Sequence, residues 1–167
     1  MTKKALVIYD SFFGNTEKIA RAIDEGLKPL GKVDLMRADA FSPKSPVDVD
    51  LLIVGSPTRK FTASPATINL IKRIPAKGLA GVRAAAFDTR VSMSDIKSAF
   101  LRLLIHVGGY AADPIAKRLK AKGAGEAATP MGFLVNGTEG PLKEGEVERA
   151  RLWAKQLPLR RVDSHTE

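Results

Sequence analysis

The sequence predicts an α/β protein: a three-layer, doubly wound parallel sheet of five strands with helices on both faces. Short apolar runs alternate along the chain with longer segments of helical periodicity, which is the order expected of such a sheet. One run, Leu51-Leu52-Ile53-Val54, is apolar at every position, as a strand covered on both faces should be. No repeat, linker or low-complexity segment interrupts the 167 residues, so one domain is expected.

The predicted strands are five short apolar runs bounded by polar or glycine-containing turns. They cover residues 5–9, 33–36, 50–55, 82–87 and 131–135. Helices are predicted at residues 15–27, 65–73, 94–107, 111–122 and 144–157. In the first helix, Ile19, Ile23 and Leu27 recur every four residues, and Pro29 ends the pattern.

The composition excludes several classes of site. The chain has no cysteine, which excludes disulfides, thiolate nucleophiles and iron–sulfur clusters. Its only histidines are His106 and His165, so a histidine-rich metal site is not expected. The net charge of +9 comes from basic residues spread along the chain, which favours a solvated basic surface over a nucleic-acid site.

No apolar run reaches the length of a membrane span, and residues 5–9 are too few for the apolar part of a signal peptide. We therefore expect a cytoplasmic protein. Its domain is expected to cover residues 1–158, and the polar residues 159–167 are expected to form a loose tail.

The segment after the first strand is the most informative. Tyr9 ends a buried strand, a loop rich in hydroxyl, amide and glycine follows, and a helix begins at Asn15 or Thr16. Such a loop points backbone N–H groups and the positive end of a helix dipole at one place, which forms an anion site. Ser11, Asn15 and Thr16 add side-chain donors, and Gly14 allows a close approach of the backbone. From loop chemistry alone, a simple strand-to-helix turn with a capping residue is as good an interpretation.

The loop lacks the Gly-x-x-x-x-Gly-Lys-Ser/Thr pattern of NTPases and the Gly-x-Gly-x-x-Gly pattern of dinucleotide-binding folds. It resembles instead the signature of the flavodoxins. The matching positions are two aliphatics, an aromatic, a hydroxyl, a glycine, a threonine and a helical alanine: Val7, Ile8, Tyr9, Ser11, Gly14, Thr16 and Ala20. This resemblance implies the strand order 2-1-3-4-5 and FMN as cofactor. It places the FMN phosphate at Ser11, Phe12, Phe13, Gly14, Asn15 and Thr16.

The resemblance also implies two loops for the flavin ring, since ligands of such sheets lie at the carboxyl ends of the strands. These loops follow the third and fourth strands and contain Pro57, Thr58, Arg59, Lys60, Phe61, Asp88, Thr89 and Arg90. Phe61 is a candidate for stacking on the ring, or for covering the sheet edge instead. Trp153, the only tryptophan, is expected to pack in the core.

The charges of the two ring loops suggest a redox property. Arg59, Lys60 and Arg90 outnumber the single acid, Asp88. Positive charge stabilises the negative charge that a reduced flavin carries. We therefore expect an easier second reduction than in an acidic flavodoxin.

The resemblance implies a flavoprotein of electron transport that passes electrons between redox partners. The alternative is an FMN-dependent NAD(P)H oxidoreductase acting on a quinone or a similar acceptor. Tetrameric quinone reductases of this fold carry an extended insertion after the fourth strand, and its absence here favours the carrier. No acid–base pair or nucleophile stands out by spacing, so no catalytic residue is assigned. The intact phosphate loop disfavours a flavin-free interaction module.

Overall fold

The computed structural model describes residues 2–43 and 47–162. Its parallel sheet contains β1 (Lys4–Tyr9), β2 (Lys32–Arg37), β3 (Leu51–Pro57), β4 (Arg83–Val91), β5 (Gly125–Glu126) and β6 (Met131–Val135). The order is β2-β1-β3-β4, and β5 and β6 both pair with β4. The predicted order 2-1-3-4-5 is confirmed, except that the fifth position is shared by two strands, with residues 127–130 between them.

Five helices connect or follow the strands: α1 (Asn15–Leu27), α2 (Pro65–Arg73), α3 (Ala99–Gly108), α4 (Ala112–Ala121) and α5 (Glu146–Lys155). The helix predicted at residues 94–107 begins later, because Ser98 caps α3 by accepting a hydrogen bond from the N–H of Leu101 (3.3 Å). Residues 93–95 form a short 3-10 turn instead. Within the described residues, no helix combines the length and apolar content needed to cross a bilayer.

The core consists of two apolar clusters, one on each face of the sheet. Leu51 and Ile53 of β3 point to the cluster under α1 and α5, whereas Leu52 and Val54 point to the cluster under α2 and α4. All four side chains are fully buried. Trp153 of α5 packs in the first cluster, as predicted. This alternation explains the continuous apolarity of the strand and confirms the three-layer fold.

The packed part of the chain extends past the expected boundary at residue 158. Leu159 is buried in the cluster under α1 and α5. The N–H of Val162 donates to the carbonyl of Gly81 (3.0 Å), and Arg161 pairs with Asp48 (2.9 Å). Residues 159–162 therefore belong to the domain, because an apolar side chain anchors them. Residues 163–167 of the expected tail lie outside the described residues.

Candidate functional site

A pocket of about 830 Å³ opens at the carboxyl ends of β1, β3 and β4. This is the edge at which doubly wound sheets bind ligands, and the volume suits a cofactor-sized molecule. Most of the predicted site residues line it: Ser11, Phe12, Phe13, Asn15, Thr16, Pro57, Thr58, Arg59, Lys60, Thr89 and Arg90. The structure therefore brings all three predicted loops to one cavity.

Three of the predicted residues do not line this pocket. Gly14 has a left-handed backbone (φ 88°) and shapes the first loop. Asp88 is fully buried below the surface. Phe61 lies against Gly108 at the end of α3, where an added Cβ atom would lie 3.0 Å from Phe61 Cβ.

The loop between β1 and α1 and the first turn of α1 present backbone N–H groups that find no acceptor in the part of the chain that the structure describes. Asp10 Oδ1 accepts from the N–H of Ser11 (3.0 Å), and Ser11 Oγ accepts from the N–H of Gly14 (3.1 Å), which folds the loop on itself. Among the described residues, no hydrogen-bond acceptor is found for the N–H groups of Phe12, Phe13, Asn15, Thr16 and Glu17. Unpaired N–H groups gathered at a helix N-terminus form an anion site.

The side-chain donors of this loop are partly engaged within the protein. Asn15 Nδ2 donates to the carbonyl of Glu139 (2.9 Å), and the hydroxyls of Thr16 and Thr89 share a 2.8 Å hydrogen bond. Both bonds tie the first loop to neighbouring segments. Asn15 and Thr16 thus position the loop, and the backbone N–H groups with the Ser11 hydroxyl supply most of the anion donors.

The loop after β3 is a tight turn with a strained backbone. Arg59 and Thr62 exchange two backbone hydrogen bonds of 3.0 Å, and Lys60 and Phe61 between them have φ values of 47° and 66°. Such conformations cost about 1–3 kcal/mol each for residues other than glycine, and they cluster at ligand sites. The Arg59 guanidinium lies 4.6 Å from the centre of the Phe12 ring, so this turn contacts the first loop.

Asp88 and Arg90 form a charge pair at the end of β4. Arg90 Nε and Nη2 donate to the two carboxylate oxygens (2.6 and 2.7 Å), and the N–H of Ala112 at the start of α4 donates to the same carboxylate (2.8 Å). Burial raises the pKa of Asp88, and the bonds from Arg90 and Ala112 oppose that shift. The guanidinium also stacks on Tyr110, 3.8 Å from its ring centre.

This pairing shows which of the three expected cations is balanced by the one acid of the ring loops. Arg90 rests on the backbone of Gly132, where a Cβ atom would lie 2.2 Å from Arg90 Nε. The guanidinium is therefore held in place on several sides and neutralised by Asp88. Of the three expected cations, only Arg59 and Lys60 have no ion-pair partner among the described residues.

Residues that the sequence did not single out complete the walls of the pocket. They are Thr62, Ala63, Ser64, Pro65, Ile68, Asn69, Val91, Val135 and Thr138. Ser64 sets the α2 wall, since its Oγ accepts from the N–H of Thr67 (3.3 Å) and its own N–H donates to Ser56 Oγ (2.8 Å). Val91 and Val135 end β4 and β6, so the rule that ligands bind at the carboxyl ends of parallel strands indicates both. No motif in the sequence indicates that α2 forms a wall of the pocket.

Comparison with known proteins agrees with this geometry. The flavodoxin family model matches residues 7–153. A flavodoxin from Clostridium saccharobutylicum is 29% identical over 163 residues, which cover 92% of this chain and 94% of that protein.

Solved structures share the fold at lower identity. Oxidised flavodoxin 1 from Bacillus cereus superposes with a TM-score of 0.71 at 17% identity, over 92% of this chain and 96% of that chain. The rubredoxin oxygen:oxidoreductase of Desulfovibrio gigas superposes with a TM-score of 0.67 at 22% identity, over 92% of this chain and 35% of that chain.

The family match covers most of the chain, and the sheet order, the pocket and the unpaired N–H groups agree with it. The donor set fits the phosphate of FMN, because it offers uncharged N–H and O–H groups around one point. The chain therefore belongs to the flavodoxin family, whose members bind FMN and transfer electrons.

Proposed function

We propose that this chain is an electron carrier that holds the FMN phosphate in the loop between β1 and α1 and the flavin ring between the loops after β3 and β4. One observation carries the proposal: the described residues offer no acceptor to the N–H groups of Phe12, Phe13, Asn15, Thr16 and Glu17. A phosphate ester supplies acceptor oxygens for them at the positive end of α1.

Bound FMN would supply the redox chemistry, and the residues of the chain would bind and orient it. Arg59 and Lys60 at the pocket would stabilise negative charge on the reduced ring. The buried Asp88–Arg90 pair would form a rigid wall without adding net charge. The proposal includes a cytoplasmic location, which cell fractionation would test.

Riboflavin, which lacks the phosphate, is the sharpest test of this placement. FMN and riboflavin would be titrated separately into the flavin-free protein, with flavin fluorescence as the readout. We expect FMN to bind at least about 100-fold more tightly, because its phosphate gains several charge-assisted hydrogen bonds. Equal affinities would show that the loop holds no phosphate.

An FMN-dependent NAD(P)H oxidoreductase is the second candidate, with a quinone or a similar acceptor. The observation that favours it is the pair of unmatched cations, Arg59 and Lys60, which could receive the phosphates of a nicotinamide nucleotide. Anaerobic mixing of the FMN-loaded protein with NADPH separates the two functions. Rapid loss of flavin absorbance would support the reductase, whereas an unchanged spectrum would support the carrier.

A further inference from the structure

Helix α3 is apolar around most of its circumference and yet stands uncovered. None of its ten residues is buried. Four large apolar side chains are exposed by 46–79%: Phe100, Leu101, Leu103 and Val107. A helix of this composition is normally found inside a protein or a membrane, and a contiguous exposed apolar patch usually marks an interaction site.

The apolar side chains of α3 share one side of the helix, and that side is open. At 100° per residue, Phe100, Leu103, Leu104 and Val107 fall within about 100° of one another, and only Leu104 of these four is half-buried. In an ordinary surface helix the outward side would be polar. The outward apolar side therefore requires a partner other than the core of this domain.

The charged residues of α3 and of the segment from residue 96 that leads into it have one sign. Lys97 and Arg102 are exposed, and neither forms an ion pair among the described residues. Residues 96–112 contain no aspartate or glutamate, and the whole chain carries a net charge of +9. Arg102 lies on the side of α3 opposite Phe100, so the helix has an apolar side and a basic side, which suits a partner that is apolar and negatively charged.

A second copy of the chain fits this face poorly. It would add a second Lys97 and a second Arg102 to an interface that contains no acidic residue of α3 to pair with them. A ten-residue helix is also only about 15 Å long, too short to bury the roughly 800 Å² per partner that stable interfaces reach.

We propose that α3 docks this protein on the surface of a bilayer that contains anionic lipids. The outward apolar side chains would enter the boundary between headgroups and acyl chains, and Lys97 and Arg102 would contact the headgroups. The helix is too short to span a bilayer, so the contact is peripheral.

Docking there would bring the pocket close to the membrane. Gly108 at the end of α3 lies against Phe61 of the loop after β3, and Tyr110 stacks on Arg90, which lines the pocket. If the proposed electron-transfer function is correct, a lipid-soluble acceptor of the quinone class comes within reach. The docking itself does not rest on that function.

Sedimentation with vesicles tests the docking directly. The full chain, with and without FMN, would be mixed with vesicles of phosphatidylcholine alone or of phosphatidylcholine with phosphatidylglycerol. We expect binding to the anionic vesicles at low salt, and at least tenfold weaker binding to the neutral ones. If the protein binds the anionic vesicles without FMN, the docking stands even where the proposed function fails.

Matched variants identify the face. Leu103→Glu and Val107→Glu should each weaken binding to anionic vesicles at least tenfold, because each places a carboxylate in the apolar contact. Leu152→Glu, at a half-exposed leucine of α5, should leave binding unchanged. The charge reversal Arg102→Glu should weaken binding more than Lys155→Glu, which lies on α5.

Three outcomes would overturn the proposal: no sedimentation with anionic vesicles, equal weakening by Leu152→Glu, or equal binding to neutral vesicles. Light scattering without vesicles measures the molar mass of the protein and so tests whether a second copy of the chain occupies the face. A dimer that Leu103→Glu dissociates would assign the face to a second copy.

Discussion

The two ends of the pocket are built on opposite principles. The proposed phosphate end, between β1 and α1, gathers uncharged N–H groups that find no acceptor among the described residues. The far end, at β4, buries the carboxylate of Asp88, which accepts hydrogen bonds from Arg90 and Ala112. The first arrangement leaves its donors open to a ligand, whereas the second pairs its charges within the protein. We therefore expect changes at the phosphate end to alter FMN affinity, and changes at Asp88 to alter stability.

Asp88→Ala should have the largest effect of all. It leaves the Arg90 guanidinium and the N–H of Ala112 without their buried acceptor, so the free energy of unfolding should fall by about 3 kcal/mol. Urea unfolding of the flavin-free protein measures this loss. Asp95→Ala, which removes an exposed pair with Lys143, is the matched control and should change stability by less than about 1 kcal/mol. Equal losses in the two variants would refute the contrast between the two ends.

Gly14→Val should have the second-largest effect, and the quantity that changes should be the affinity for FMN. Gly14 has a φ of 88°, which a β-branched residue adopts only with strain, so the loop should rearrange. FMN should bind about 10- to 100-fold more weakly, as measured by fluorescence titration.

Gly145→Val is a close control for that change. Gly145 also precedes a helix, has a φ of 83°, and has open space where a Cβ atom would lie, as Gly14 has. It should show a comparable loss of stability with unchanged FMN affinity. If both variants bind FMN equally poorly, the weaker binding of Gly14→Val reflects a general loss of folding and not a change at the site.

Arg59→Gln should have a smaller effect, on the reduction potential. Removal of one partly exposed positive charge from the pocket should lower the potential of the second reduction by about 20–60 mV. Spectroelectrochemical titration measures it, with Lys155→Gln as the distant control. An unchanged potential would mean that the charge of the pocket does not act on the flavin.

Glu17→Gln should have the smallest effect. Hydrogen bonds from Arg21 and Tyr9 lower the pKa of Glu17, so its ionised form stabilises the fold above its unfolded pKa. This contribution is lost as the pH falls through the lower, folded pKa. Urea midpoints measured from pH 7 to pH 3 should show the wild type losing stability relative to Glu17→Gln in acid, by less than about 1 kcal/mol. Parallel curves would contradict the assignment.

The local parts of the site could be predicted from the sequence. Tyr9 ends a strand, Gly14 turns the chain and Asn15 begins a helix, all within seven consecutive residues, so short-range geometry decides the loop. The same holds for β3, whose unbroken apolar run requires cover on both faces.

The position of the Arg90 side chain could not be predicted, because it depends on distant partners. Arg90 meets Tyr110, which is twenty positions later, and rests on Gly132 of another strand. Asp88 and Arg90 are two residues apart on a strand and so share a face, yet their burial depends on how α4 packs over β4. The sequence therefore gives the excess of basic residues over acids in these loops, but not which of the three cations pairs with Asp88.

The sequence by itself determined the alternation of strands and helices, the turn between β1 and α1 and the family, because these depend on periodicity and on short-range backbone chemistry. Tertiary structure alone decided the α2 wall of the pocket, the burial of Leu159 and the exposure of α3. The periodic apolar residues of α1 and α3 predict a helix in both places. How deeply each helix is buried in the protein depends on residues far along the chain. Burial is a property of the whole packed molecule, and no local pattern contains it.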